Sequence, residues 1–133
     1  MSMANHLKAT AIDHINMKVK SLEKSVKFYK DLFGFEVKVE DNFPNKLKVP
    51  SKIIGNDSVL LCLYEVPDMT PDGGITHFGL HVRNFEKIEE KCKDLGVEIL
   101  YGGAVTFDDS KSFYIVDIDG YVIELSEIFG GGL

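Results

Sequence analysis

An α+β fold built from two tandem β-α-β-β-β modules is predicted by three features of the sequence. First, the chain repeats itself. Ile12-Asp13-His14-Ile15-Asn16-Met17-Lys18-Val19 lies over Ile75-Thr76-His77-Phe78-Gly79-Leu80-His81-Val82 at a constant offset of 63. The offset then carries Leu22-Glu23-Lys24 onto Phe85-Glu86-Lys87 and Lys30-Asp31-Leu32 onto Lys93-Asp94-Leu95. Second, each copy opens on alternating apolar residues, the period of a half-buried strand, and then changes to helical spacing. Third, a glycine follows each helical stretch, Gly34 in one copy and Gly96 in the other, where one residue drops out of the repeat.

The elements follow in order. Residues 12–19 and 76–82 are expected as strands. Ser21 and Asn84 stand where helix caps belong. Leu22, Val26, Tyr29 and Phe33 form the apolar stripe of the first helix; Phe85, Ile88, Cys92 and Leu95 form that of the second. Three further strands are expected in each copy: 35–40, 47–54 and 58–66, then 97–101, 112–117 and 121–128. Asn56-Asp57 and Asp119-Gly120 supply the last hairpin turns. The whole of 1–133 reads as one domain, with modules at 8–66 and 75–128 joined by a Pro-, Asp- and Gly-rich linker at 67–74.

A chain of 133 residues with 44% apolar residues, nine Phe and five Tyr can bury a core. Its 15 basic and 21 acidic residues give a formal charge of −6 with no basic stripe, which argues against nucleic acid as a partner. The two cysteines, Cys62 and Cys92, form no CxxC pair and sit in apolar or amphipathic runs, as buried free thiols do. No stretch has the apolar length of a membrane span, and the N-terminal residues lack the apolar core of a signal peptide, so a cytoplasmic location is expected.

Strand side chains alternate between faces, so parity assigns neighbours. Met17 and Val19 should meet the helices, leaving His14, Asn16 and Lys18 on the opposite, concave face. Phe78, Leu80 and Val82 leave His77, Gly79 and His81 there in the same way. In the last strand Ile123 and Leu125 turn to the helices and Glu124 turns to the concavity. A glutamate between two buried aliphatics is costly unless paired or ligated. Two imidazoles and one carboxylate, His14, His77 and Glu124, are therefore expected around one divalent metal ion, with coordination positions left open for a substrate.

The segments DHINMKVKSLEKSVKFYKDLFGF, THFGLHV and SFYIVDIDGYVIELSE resemble the vicinal oxygen chelate superfamily, the glyoxalase/bleomycin-resistance/dioxygenase proteins. The resemblance covers nearly the whole chain. It implies paired β-α-β-β-β modules whose curved half-barrels enclose a metal, with ligands from the first strand of each module and the last strand of one or both. Those positions are His14, His77 and Glu124. The resemblance also implies a homodimer, formed side by side or with modules exchanged between chains.

Within the superfamily, a His-His-Glu set is similar to the extradiol dioxygenases and the fosfomycin-modifying enzymes. Phe113-Tyr114-x-x-Asp117-x-x-Gly120-x-x-x-Glu124 resembles the extradiol signature, in which a tyrosine at the Tyr114 position contacts substrate oxygen. Ile118 departs from it, since the signature has proline there. Val105, Thr106 and Phe107 occupy the window where its acid–base histidine is expected, and His81 is the candidate to replace that histidine. Fosfomycin enzymes need cations around a phosphonate, and the single arginine here, Arg83, lies beside the strand. The 63-residue offset carries Glu124 onto Leu61, a position where glyoxalase I and the epimerases have Glu or Gln, which counts against lactoylglutathione lyase-like or epimerase-like chemistry.

Extradiol-dioxygenase-like chemistry on a small substrate chelated through adjacent oxygens is thus the leading expectation, with Fe2+ favoured and Mn2+, Zn2+ or Ni2+ as alternatives. Lyase or epimerase chemistry is the alternative enzyme. The alternative binder is a bleomycin-resistance-type protein that sequesters a cationic drug in an acidic cleft.

Overall fold

The computed structural model describes residues 7, 11–40, 45, 47–71, 73–107 and 110–127. The expected module bounds at residues 8 and 128, and residue 72 of the linker, lie outside the described residues.

Alternation and helical spacing produce the expected α+β fold, twice over. The first module contains β1 (Ile15–Val19), α1 (Leu22–Phe33), β2 (Glu36–Val39), β3 (Ser51–Gly55) and β4 (Leu60–Glu65). The second contains β5 (Phe78–His81), α2 (Ile88–Leu95), a short β6 (Val105–Thr106), β7 (Lys111–Val116) and β8 (Val122–Ser126). Each module is a four-stranded sheet, in the orders β1-β4-β3-β2 and β5-β8-β7-β6. β1 runs parallel to β4 and β5 parallel to β8, and the remaining pairings are antiparallel.

Both strand openings are shorter than alternation suggests. Ile12 and Ile75 are exposed, at 82% and 80%, and the ladders begin at Ile15 and Phe78. His14 and His77 therefore sit just outside the first rung of their strands. Within the ladders parity holds: Met17, Val19 and Leu80 are buried while Asn16, Lys18, Gly79 and His81 are exposed.

α1 begins where Ser21 Oγ accepts a hydrogen bond from Lys24 N at 3.2 Å, with Glu23 in the first turn, and ends at Gly34 in the left-handed region (φ 71°). α2 starts differently from expectation. Asn84 makes no side-chain cap; its backbone is left-handed (φ 58°), and a 3-10 turn over Phe85–Lys87 leads into the helix. Leu95, expected in the apolar stripe, is 39% exposed, while Phe85, Ile88 and Cys92 are buried.

A second departure concerns residues 97–101, expected as a strand. Here Ile99 makes an isolated bridge to Ile115, and the chain turns through a 3-10 segment, Leu100–Gly102, with Tyr101 left-handed (φ 59°). The glycines at 102 and 103 both take positive φ and let the backbone turn away, so the edge of the second sheet is built from Val105–Thr106 instead. In the first module the expected strand 47–54 starts only at Ser51, after Lys48 at φ 55°.

The two modules share one core. Val19, Tyr29, Ile54, Leu61, Leu63, Ile115, Ile123 and Leu125 are all essentially inaccessible to solvent and belong to a single cluster. Each buried side chain of this size contributes on the order of 1.5–3 kcal/mol over leaving it in water. α1 packs on α2, and hydrogen bonds cross between the modules. Tyr29 Oη donates to Asp117 Oδ2 at 2.7 Å, Lys20 N to Asp119 Oδ1 at 3.2 Å, and Tyr121 Oη to the Lys18 carbonyl at 2.8 Å. Among the described residues, no helix is long and apolar enough to cross a membrane.

Candidate metal centre

The parallel pairing of β5 with β8 sets Gly79 opposite Glu124, so the carboxylate rises beside the exposed start of β5, where His77 stands. Glu124 Oε1 lies 3.1 Å from His77 Nε2. Its other oxygen, Oε2, accepts a hydrogen bond from Ser112 Oγ at 2.7 Å. Thr76 Oγ1 is 3.2 Å from His77 Nδ1. The imidazole and carboxylate are thus oriented from behind, each by a hydroxyl.

Two aromatic rings border the pair. Tyr114, opposite Glu124 in the β7–β8 register, meets His77 edge to face with ring centroids 5.5 Å apart, and Tyr101 meets Tyr114 at 5.3 Å. Burial pushes the Tyr114 phenol up, and the neighbouring Glu124 carboxylate adds to the effect, so the group remains a proton donor at neutral pH.

The donor set suits a hard or borderline divalent ion. Ligands about 2.1 Å from a six-coordinate ion and at right angles to each other are about 3 Å apart, close to the separation of Nε2 and Oε1. The chain brings two of the three expected ligands together. His14 stands apart: its side chain is 51% exposed and its Nδ1 lies 2.8 Å from Asp13 Oδ2. Among the described residues of one chain, no three His, Cys, Asp or Glu side chains gather as a metal requires. Tyr114 joins the pair. His81 instead lines a separate cavity between the modules, whose walls include none of His77, Glu124, Ser112 and Tyr114. Arg83 lines that cavity too.

Ser112 was not singled out from the sequence as a site residue. Alternation held the signal: Ser112 and Tyr114 share a parity on β7, and Tyr114 lies beside Glu124. The residue deleted at the end of the second helix also changes the repeat arithmetic downstream. Register puts Cys62 opposite Asn16 as it puts Glu124 opposite Gly79. The counterpart of Glu124 in the first module is therefore Cys62 and not Leu61, which is fully buried in the core. The sequence-based objection that this position holds only a hydrocarbon is corrected: it holds a thiol. That thiol is buried, and burial pushes its pKa up. The adjacent Asn16 Nδ2 donates to the Cys62 carbonyl at 2.9 Å.

The chain belongs to the Glyoxalase/Bleomycin resistance protein/Dioxygenase superfamily, whose family model matches residues 11–125. Among curated relatives, the metallothiol transferase FosB of Staphylococcus haemolyticus is 30% identical over 119 residues, covering 86% of this chain and 81% of that protein. The FosB of Lysinibacillus sphaericus is 30% identical over 116 residues, covering 86% and 79%. Similar solved structures include a glyoxalase family protein from Enterococcus faecalis, with TM-score 0.73 and 21% identity, covering 88% of this chain and 97% of that one. Another is a variant of the fosfomycin resistance protein FosX from Listeria monocytogenes, complexed with Mn(II) and 1S,2S-dihydroxypropylphosphonic acid. It has TM-score 0.72 and 21% identity, covering 91% and 94%. These structural likenesses establish the shared fold.

Proposed function

We propose that the protein is a metal-dependent enzyme acting on a small molecule with adjacent oxygens, its ion held by His77 and Glu124 of one chain and His14 of a second copy. The observation that carries this reading is the 3.1 Å approach of His77 Nε2 to Glu124 Oε1, with Ser112 fixing the second carboxylate oxygen. The exposed position of His14, outside the cluster its own chain forms, favours a homodimer with exchanged modules over pairing within one chain.

When bound, a divalent ion there supplies Lewis acidity to the substrate's oxygens. The protein's own groups do the rest. Glu124 and Ser112 hold the ligand geometry, and Tyr114 donates a hydrogen bond to a substrate oxygen. Val122, half-buried on the same face of β8 as Glu124, offers an apolar wall. The name of the curated relatives, metallothiol transferase, supports metal-dependent transfer of a thiol to a small molecule. The manganese in the FosX complex supports Mn2+ over the Fe2+ favoured by the extradiol reading.

Ring cleavage remains the second reading, favoured by Tyr114 standing edge-on to His77 at the place the extradiol signature reserves for it. Metal analysis of the purified protein tests the common ground: about one divalent ion per chain is expected, and His77→Ala should lose it. Unchanged metal content in that variant sinks the reading. Reconstitution with Mn2+, Zn2+, Ni2+ or Fe2+ then separates the chemistries. Thiol consumption with a panel of small epoxides supports thiol transfer, and oxygen uptake with catechols supports ring cleavage.

A further inference from the structure

The junction of the modules forms a half-open cavity of about 700 Å³, within the size range of small-molecule sites and separate from the His77–Glu124 pair. Its floor is apolar: Phe35, Leu80, Ile88 and Leu125 are buried core residues that also line it. Its rim is basic. Arg83, Lys87 and Lys91 line it against one carboxylate, Asp57, in a chain whose acids outnumber its bases by 21 to 15.

These three cations are unspent. Among the described residues, the side chains of Arg83, Lys87 and Lys91 make no hydrogen bond or ion pair, although Lys27 and Lys52 elsewhere each find an acid. Lys87 closes the 3-10 turn that leads into α2 and Lys91 lies in the helix itself, and both line the cavity. Arg83, the only arginine in the sequence, precedes them across the uncapped turn at Asn84, which also lines the cavity.

We infer that this cavity binds an amphipathic organic anion, its apolar body on the Phe35–Leu80–Ile88 floor and its carboxylate or similar head between Arg83 and Lys87. A planar guanidinium supplies paired donors to a carboxylate, and removing apolar surface from water supplies the rest of the affinity. His81 also lines this cavity.

The test is calorimetric titration of the full chain with decanoate, decanol and inorganic phosphate. Decanoate should saturate at one site per chain, with decanol and phosphate each binding at least ~10-fold more weakly because each lacks half of the recognition. Arg83→Gln and Lys87→Gln should each weaken decanoate about 10-fold, and added salt should weaken it further. Both residues are exposed, so unchanged melting temperatures will show that the fold is intact. His77→Ala should bind decanoate like the wild type, which keeps this site's fate independent of the metal reading. Three results would each overturn the inference. They are absence of saturable decanoate binding, equal binding of decanol, and binding confined to the monomer fraction of a sizing column, which would mean that a second copy fills the cavity.

Discussion

Glu124 carries two tasks that its neighbours divide between its two oxygens. Oε1 faces His77, and Oε2 is held by Ser112, which is itself fully buried and so cannot drift away with solvent. Hydroxyls that orient a ligand from behind commonly change metal affinity by 10- to 100-fold without touching the ion. Ser112→Ala should therefore weaken divalent metal binding by about that factor, read by competition against a chelator, while His77 and Glu124 remain in place. Because the serine hydroxyl also satisfies a half-buried carboxylate, a small loss of melting temperature should accompany it. Unaltered affinity would mean that Ser112 serves packing alone. Cys62 is the matching question in the first module: its register equivalence to Glu124 puts a thiol where the second sheet has its carboxylate.

Where the elements meet, α1 is tied to the β7–β8 turn by Tyr29, which is completely buried and donates to Asp117 Oδ2 at 2.7 Å. Asp117 Oδ1 also accepts from the backbone of Asp119 and Tyr121, each at 2.9 Å. Tyr29→Phe removes one partner and strands a buried carboxylate oxygen, so a loss of about 1–3 kcal/mol is expected in denaturant melts. The same carboxyl makes stability depend on pH. Burial pushes the Asp117 pKa up, and Asp119 reinforces this, while the bonds from Tyr29 and the two backbone amides oppose it without cancelling it. A carboxyl whose folded pKa lies above its unfolded value binds more protons when folded. Its contribution is therefore fully present below about pH 4 and declines as pH rises through the elevated folded value. Asp117→Asn keeps an acceptor for the two amides and removes that slope. The variant's melting temperature relative to wild type should rise steadily across this window, and a constant difference would refute the assignment.

The same tie explains what could be read from the chain in advance. Local rules sufficed for β1, α1, β4, β5, β7 and β8, because alternation, helical spacing and the glycines at 34 and 96 act within a few residues. They failed at 97–101, where Gly102 and Gly103 bend the chain away, and at Asn84, where a 3-10 turn replaces a side-chain cap. Asp117 was legible only as part of a signature, since its partner Tyr29 lies 88 residues away. The pairing of His77 with Glu124 was legible from parity and the repeat together. The fate of His14 was not, because parity assigns a face and says nothing about which chain lies opposite it.

That last point sets the most informative experiment on the whole molecule. If modules are exchanged, each metal site takes His14 from one copy and His77 with Glu124 from the other. His14→Ala and His77→Ala homodimers then carry one lesion in every site and should both lose metal. In a mixed dimer the lesions redistribute: one site receives both altered residues, and the other receives neither. Mixing the two variants under conditions that exchange subunits should therefore restore metal to about one site in each mixed dimer. Differently tagged copies purified in tandem allow this to be counted by elemental analysis. If the modules instead pair within a chain, each site keeps the single lesion of its own chain, and mixing restores nothing. Restoration thus distinguishes the two arrangements regardless of substrate. Restoration would also account for the exposure of His14 in the isolated chain, because its partners would then belong to the other copy.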